Sequence, residues 1–193
     1  MDEELFTEAP FAEQQVDVIQ GLALLEKWSQ DYQRDVIQAA LTDLKADYTR
    51  LFTGMAKVPV APWESVYFTE ERLVFQAQTQ KVRAWYHQYG LEIASDYKEP
   101  EDHIGLEMIF IGHLAKVGLA ALAANDQAGF EQAVAAQRNF ATNHLFLWAP
   151  LWCDLMNQHA KTDFYRGLAL VVHGALIELA TVLNVSMPMR DRS

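Results

Sequence analysis

Apolar residues recur at steps of three and four along most of this chain, and this spacing constrains its fold more than any other feature. An amphipathic α-helix requires such spacing because it places apolar side chains on one face. The longest regular stripe consists of Ile37, Leu41, Leu44, Tyr48 and Leu51. It predicts a helix that continues to about residue 52.

The same spacing predicts helices over most of the remaining chain. They cover residues 16–28, 69–90, 100–123, 126–140, 147–158 and 163–184. Thr69 is a candidate N-cap, Asp126 is another, and Gly90 is a natural residue just after a helix end. The segment 100–123 is apolar nearly all round, which is typical of a helix in the middle of a bundle.

Residues 58–67 are the exception to helical spacing, and no β-strand pattern competes elsewhere. Pro59 and Pro62 are excluded from helix interiors and favour extended backbone in the residues before them. The connections are short, and 193 residues suffice for one domain with a substantial core. We therefore expect residues 1–193 to form a single all-α helical bundle.

The charge and the single cysteine limit the partners and the compartment. Against 15 Lys and Arg residues stand 26 Asp and Glu residues, so the formal net charge is −11. This balance disfavours nucleic acid and anionic membranes and favours a basic partner, although solubility alone also explains it. Cys153 cannot form an internal disulfide, and neither a signal peptide nor an apolar stretch of membrane-spanning length is evident. We expect a cytoplasmic protein without an integral membrane segment.

The main candidate site is Glu99-Pro100-Glu101-Asp102-His103, at a predicted helix start. Proline suits the first helical position and the helix dipole favours carboxylates there, which is a complete structural explanation. On a helix, however, one face would carry Glu99, Asp102, His103, Leu106 and Phe110. Carboxylates pair bidentately with arginine, and apolar neighbours strengthen that contact. The stripe thus predicts a receptor for a ligand that is both cationic and hydrophobic.

Two aromatic segments and one metal motif allow further interpretations. The prolines stiffen the segment that presents Trp63 and Tyr67, which is typical of a peptide-recognition surface. It is equally typical of a rigid linker whose aromatic side chains pack into the core. The segment 143–152 is typical of either the lining of a groove or a protein core. His144 within it is accordingly either a binding residue or a structural histidine. His103 and Glu107 stand four residues apart, a spacing that two metal ligands on one helix can have. Di-iron bundles, however, repeat a Glu-x-x-His pair on two helices, and this sequence has no such repeat. No other metal motif and no phosphate-binding motif is present. We expect no metal, no cofactor and no catalytic residue.

Three motifs together resemble the TorD/DmsD family of cytoplasmic chaperones for molybdenum-containing oxidoreductases exported by the twin-arginine route. The motifs are Leu51-Phe52-x-Gly54 with Pro62-x-x-Ser65-Val66-Tyr67, then Glu99-Pro100-x-Asp102-His103, then His144-Leu145-x-x-Trp148. The resemblance covers roughly residues 40–183, and the middle motif is the most specific. Family members usually carry an additional helix before the equivalent of residues 11–28, so a shortened or rearranged front end is expected here.

The resemblance implies a TorD-like all-α fold and a non-enzymatic function. Such a chaperone binds the twin-arginine leader and the apoprotein of a molybdoenzyme catalytic subunit, assists cofactor insertion and prevents premature export. It exists as a monomer or a helix-swapped dimer, for which a hinge is expected near residues 95–100. The residues implied in binding the signal peptide are Leu51, Phe52, Trp63, Tyr67, Glu99, Asp102 and His103.

Two alternatives come from other functional classes. One is a helical metal-dependent enzyme that uses His103 and Glu107. The other is a generic assembly factor that docks through Trp63 and Trp148.

Overall fold

The computed structural model describes residue 11 and residues 14–31, 37–53, 58–68, 70–71, 73–94 and 97–188. A 3₁₀ helix spans Glu64–Tyr67, and a π-helical turn spans Ala141–Leu145. The described residues contain no β-strand, and the predicted all-α fold class is confirmed. The α-helices are α1 Val16–Asp31, α2 Ile37–Phe52, α3 Ala77–Gln88, α4 Ile104–Ala123, α5 Gln127–Phe140, α6 Phe146–His159 and α7 Asp163–Leu183.

The chain divides into two compact units that interleave along the sequence. The first unit is Met1–Ala61 with Pro150–Leu179, and the second is Pro62–Ala149 with Ala180–Ser193. In the first unit α1 and α7 approach closely where Gly21 faces Gly167, because a Cβ on Gly21 would lie 2.6 Å from the Gly167 carbonyl oxygen. The buried apolar side chains of this unit include Val18, Leu51, Val60, Met156 and Leu176.

The core of the second unit is aromatic. Phe110 of α4 lies with its ring centroid 4.9 Å from that of Tyr86 on α3 and 4.8 Å from that of Phe140 on α5. Helices α4 and α5 meet at Gly118, where an added Cβ would be 3.3 Å from the Cβ of Ala133. The Phe110–Phe140 pair is edge-to-face, and such pairs stabilise a core beyond the area they bury.

Several helix ends confirm the sequence predictions. After α3, Gly90 has a φ of 67°, its N–H donates to the His87 carbonyl, and the next N–H, of Leu91, donates to the Tyr86 carbonyl. This pair of bonds is the Schellman arrangement that closes a helix. At the start of α5, the Asp126 carboxylate accepts the Gly129 N–H at 2.9 Å, as a predicted N-cap should.

The predicted start of α3 is wrong. The helix begins at Ala77 with Gln76 as its N-cap, and the predicted cap, Thr69, lies outside the described residues. Before the helix, Phe75 is exposed and has a φ of 60°, so its backbone is left-handed and cannot continue a helix from upstream. The apolar spacing continues through this segment without helical backbone.

The predicted start and position of α4 also need correction. Residues 99–103 precede the helix, whose N-cap is His103, so Pro100 does not occupy its first turn. Nor is the helix enclosed on all sides, because Ile109 is 69% exposed and Leu119 is 66% exposed. One face of α4 is therefore in contact with solvent, although the helix is apolar nearly all round.

Helix α2 has the predicted bounds, but its buried line is displaced from the predicted stripe. Leu41 and Tyr48 are exposed, whereas Ala40, Asp47 and Leu51 are buried. The reason is Asp47, whose carboxylate accepts the backbone N–H groups of residues 161 and 162 in the same unit. The single domain and its hinge near residues 95–100 remain predictions, and residues 95 and 96 lie outside the described residues.

Candidate functional site

A buried carboxylate, that of Asp102, organises the candidate site in the second unit. Its side chain has no exposed surface. One oxygen accepts the Ser65 backbone N–H at 2.7 Å, and the other accepts the Thr79 hydroxyl at 2.9 Å. Asp102 therefore fastens the 3₁₀ helix and α3 to the segment that leads into α4.

Backbone pairing holds the same segments together. The Glu64 N–H donates to the Asp102 carbonyl and the Ile104 N–H donates to the Pro62 carbonyl, each at 2.9 Å. These two bonds pair residues 63 and 103 as a short antiparallel bridge. Pro62 suits this position, since it supplies an acceptor and needs no donor. The bridge places the half-buried Trp63 beside the half-buried His103, with ring centroids 6.4 Å apart.

The imidazole of His103 has both a structural bond and an electrostatic environment. Its Nδ1 accepts the Gly105 N–H at 3.1 Å, which caps α4 and requires the neutral ring to carry its proton on Nε2. Burial lowers the pKa of His103, although Glu99 and Asp102 act in the opposite direction. Burial is the dominant effect, so the net shift of this pKa is downward.

The three carboxylates of the acidic motif have different surroundings. Glu99 is exposed, Asp102 is buried, and the Glu101 carboxylate accepts the Arg83 Nε–H at 2.5 Å. Burial raises the pKa of Glu101, but the Arg83 hydrogen bond, a backbone hydrogen bond and the charges of Arg83 and His87 together lower it more, so the net shift is downward. The predicted helical face shared by these residues with Leu106 and Phe110 is therefore wrong, since residues 99–103 are not helical. Glu99 is the member of the motif with an exposed carboxylate.

A second buried polar cluster, formed by Glu64, Glu107, His144 and Trp148, lies in the same unit. The His144 Nδ1 is 3.0 Å from a Glu64 oxygen, and the Trp148 indole N–H donates to Glu107 at 3.2 Å. Burial, and next the negative charge of Glu64, raise the pKa of Glu107 well above its ordinary value. These contacts give His144 a structural role, which was one of its two predicted roles.

The aromatic residues predicted for the site differ in their surroundings. Tyr67 is half-buried, and its ring lies 5.3 Å from that of Trp148. The buried indole N–H of Trp63 has no hydrogen-bond partner among the described residues. An unpaired buried donor of this kind is costly to stability and requires an explanation.

Leu51 and Phe52 belong to the first unit. Leu51 is fully buried, and its carbonyl accepts the Val60 N–H at 3.2 Å. Phe52 is half-buried between Tyr48 and Tyr165, at centroid distances of 5.3 and 5.6 Å. The structure thus gives both residues a place in the packing of their own unit.

A cavity of about 410 Å³ in the first unit lies between α1, α2 and the start of α7. Among its charged residues, Asp47 and Arg50 form an ion pair with each other. The buried Asp47 carboxylate accepts the Thr162 hydroxyl at 2.8 Å and also binds Arg50. Burial raises the pKa of Asp47, but the bonds from Thr162, Lys161 and Arg50 lower it more. This arrangement caps the start of α7, which is a structural role.

The described residues offer no cluster of three or more His, Cys, Asp or Glu side chains that could hold a metal ion. The pair in the enzyme alternative has other partners. His103 Nδ1 accepts from Gly105, and Glu107 is buried against Trp148. The geometry therefore gives no support to a metal centre at His103 and Glu107.

Two helices of the described chain, Ile104–Ala123 and Asp163–Leu183, have the length and apolar composition of a membrane span. The prediction that no apolar stretch approaches that length is wrong for both. The finding is weak support for a membrane location, because core helices of globular proteins meet the same criterion. In α4 the fully buried Glu107 is hydrogen-bonded inside the protein, as in such a core helix.

Comparison with known proteins identifies a family. A profile described as nitrate reductase delta subunit matches residues 17–154, more than half of the chain. The chaperone protein TorD of Aliivibrio salmonicida is 31% identical over 132 residues, which are 67% of this chain and 59% of that protein. The Tat proofreading chaperone DmsD of Salmonella typhi is 28% identical over 143 residues, which are 74% of this chain and 63% of that protein.

The chain spans about three fifths of the length of these curated relatives. A further relative, TorD of Aliivibrio fischeri, is 28% identical over 146 residues, which are 76% of this chain and 65% of that protein. The relatives are named as chaperones and not as enzymes. The profile match, the relatives and the three motifs agree, and the chain belongs to the TorD/DmsD family.

Proposed function

We propose that this chain is a cytoplasmic chaperone that binds the twin-arginine leader of a molybdenum-containing oxidoreductase precursor. Binding delays export and assists cofactor insertion into the apoprotein. Family membership supports the general activity, since relatives are named TorD and Tat proofreading chaperones. The leader, the apoprotein and the compartment are our proposal.

The observation that carries the proposal is the pairing of Trp63 with His103 beside the exposed Glu99. The buried Asp102 holds together the backbone segments that carry Trp63 and His103, so the two rings are preorganised. The charge of Asp102 itself is not available to a ligand. Glu99 precedes His103 by four residues and acts electrostatically on the same imidazole. A guanidinium binds a carboxylate bidentately and also stacks on aromatic faces. We call this surface, Trp63, Glu99 and His103, the ring–carboxylate surface.

The roles of the predicted binding residues change accordingly. Asp102 positions the surface and does not contact the leader, because internal donors occupy both of its oxygens. Tyr67 is proposed as an edge of the same surface, since it is half-buried and packs on Trp148. Leu51 supports the first unit from within, whereas Phe52 keeps a partly exposed ring.

Calorimetric titration tests the proposal with a peptide that carries two adjacent arginines followed by an apolar stretch. The control peptide replaces both arginines by lysines, which keeps the charge and removes the planar fork. We expect the arginine peptide to bind about tenfold more tightly, the difference of one bidentate contact. Equal binding of the two peptides, or no binding of either, would refute recognition of the arginine pair.

A further inference from the structure

A groove of about 300 Å³ lies in the second unit between the segment after α3 and the first turns of α4. The Gly90 turn ends α3, and residues 91–94 and 97 after it line the groove together with residues of α4. Phe110, which is 1% exposed, contributes to the groove from the core, whereas Ile109 is 69% exposed. The apolar side chains that line the groove include Leu91, Ile93, Tyr97, Leu106, Ile109 and Phe110.

The charged side chain that lines the groove is negative. Glu92 lines it, and among the described residues no Lys or Arg does. Burial, and next the negative charge of Glu99, raise the pKa of Tyr97, so the Glu99 carboxylate also acts on this wall of the groove. An occupant with an apolar body and an adjacent positive charge is complementary to these walls.

The groove also adjoins the ring–carboxylate surface through the chain itself. His103 caps α4, and Leu106 and Ile109 follow it on the next two turns of the same helix. At a rise of about 1.5 Å per residue, these side chains lie within roughly 10 Å of His103 along the helix axis. A peptide that places an arginine at Glu99 therefore has this groove within reach of its next few residues.

We propose that this groove binds the apolar stretch that follows the arginine pair of the same peptide. The inference rests on the proposed function and adds to it the place where the hydrophobic part of the leader is held. Burial of Ile109, which is 69% exposed, by an apolar partner would be favourable, because it removes apolar surface from water.

Two matched variants and two peptides test the proposal by calorimetry. Ile109→Asn places an amide in the groove, and Leu119→Asn makes the same kind of change at a comparably exposed position of the same helix outside the groove. The complete peptide is compared with one whose apolar stretch is replaced by glycine and serine. We expect Ile109→Asn to weaken binding of the complete peptide about tenfold, and Leu119→Asn to leave it unchanged.

The outcomes separate the two proposals. If Ile109→Asn also leaves the glycine–serine peptide unaffected, the loss is specific to the apolar stretch and the groove is supported. Equal affinities of the two variants for the complete peptide would overturn the groove while leaving arginine recognition intact.

A third peptide, with the arginines replaced by glutamines, keeps the groove testable if arginine recognition fails, since its weak binding should still respond to Ile109→Asn. Sedimentation measurements complete the test, because self-association abolished by Ile109→Asn, without an effect on peptide binding, would make the groove an interface between copies of this chain.

Discussion

Asp102 is the residue on which the geometry of the candidate site depends. Its replacement by alanine leaves the Ser65 N–H and the Thr79 hydroxyl without acceptors in a buried environment. We expect Asp102→Ala to lower the free energy of unfolding by about 2–4 kcal/mol, as measured by urea denaturation. A change in peptide affinity by this variant then follows from a disturbed site rather than from a lost contact.

Two further variants control this prediction. Asp102→Asn retains an acceptor for Ser65 and can donate to the Thr79 oxygen, so it should cost only about 1 kcal/mol. Glu99→Gln changes an exposed side chain and should alter stability by no more than about 0.5 kcal/mol. If Asp102→Ala proves as stable as the parent chain, the organising role of this carboxylate is wrong.

Glu107 gives a prediction about pH. Burial and the charge of Glu64 raise its pKa in the folded chain, so folded Glu107 keeps a proton that the unfolded chain releases. Its contribution to stability is complete below about pH 4.5 and is lost as the pH rises toward the folded pKa. Glu107→Gln removes this titration, and urea unfolding between about pH 5.5 and about pH 8.5 should show a shallower decline for the variant. Parallel pH profiles of the two chains would contradict the assignment.

At the scale of elements, two glycines of the second unit should respond to alanine in opposite directions. Gly90 has a φ of 67°, and an added Cβ meets no atom within 4 Å, so only backbone strain opposes the change. Gly90→Ala should destabilise the chain by about 1 kcal/mol. Gly112 lies on an exposed turn of α4 with equally open space around it. Gly112→Ala should therefore stabilise the chain by about 0.5–1 kcal/mol. Thermal or urea unfolding measures both, and shifts of the same sign would refute this account of the turn after α3.

A helix end is predictable from the sequence when local interactions define it, and much less so when contacts with distant residues define it. The bounds of α2, α5, α6 and α7 were predicted closely, because apolar spacing and caps such as Asp126 are local signals. The start of α3 was not, because the left-handed backbone of Phe75 interrupts a stretch in which the apolar spacing continues, and the start of α4 was not, because it depends on distant contacts. Asp102 stays outside α4 since its carboxylate binds groups 37 and 23 residues earlier in the chain.

At the scale of the whole molecule, the net charge of −11 should accelerate encounter with a basic peptide. Because the Debye length shrinks as salt rises, we expect the association rate constant of the arginine peptide to fall about tenfold between about 0.05 M and about 0.5 M NaCl. Stopped-flow tryptophan fluorescence measures this rate. The peptide with glutamines in place of arginines is the control, and the same salt dependence for both peptides would exclude electrostatic steering by the arginines.

The sequence indicated where the candidate site lies but not how it is built. The acidic motif was recognised, yet the pairing of Trp63 with His103 joins residues 40 positions apart and has no local signature. The cluster of Glu64, Glu107 and His144 was also missed. His144 lies on a π-helical turn, whose extra residue displaces side chains from the face that regular helical spacing predicts.

The most direct test of the central claim is calorimetric titration of one arginine-bearing leader peptide into three chains: the parent, Glu99→Gln and Glu131→Gln. Both variants remove one exposed carboxylate and change the net charge equally, but Glu131 lies on α5, outside the candidate site. We expect Glu99→Gln to weaken binding about threefold to fivefold, the value of one partly exposed ion pair, and Glu131→Gln to bind like the parent. Equal affinities of the two variants would contradict recognition of the leader at the ring–carboxylate surface.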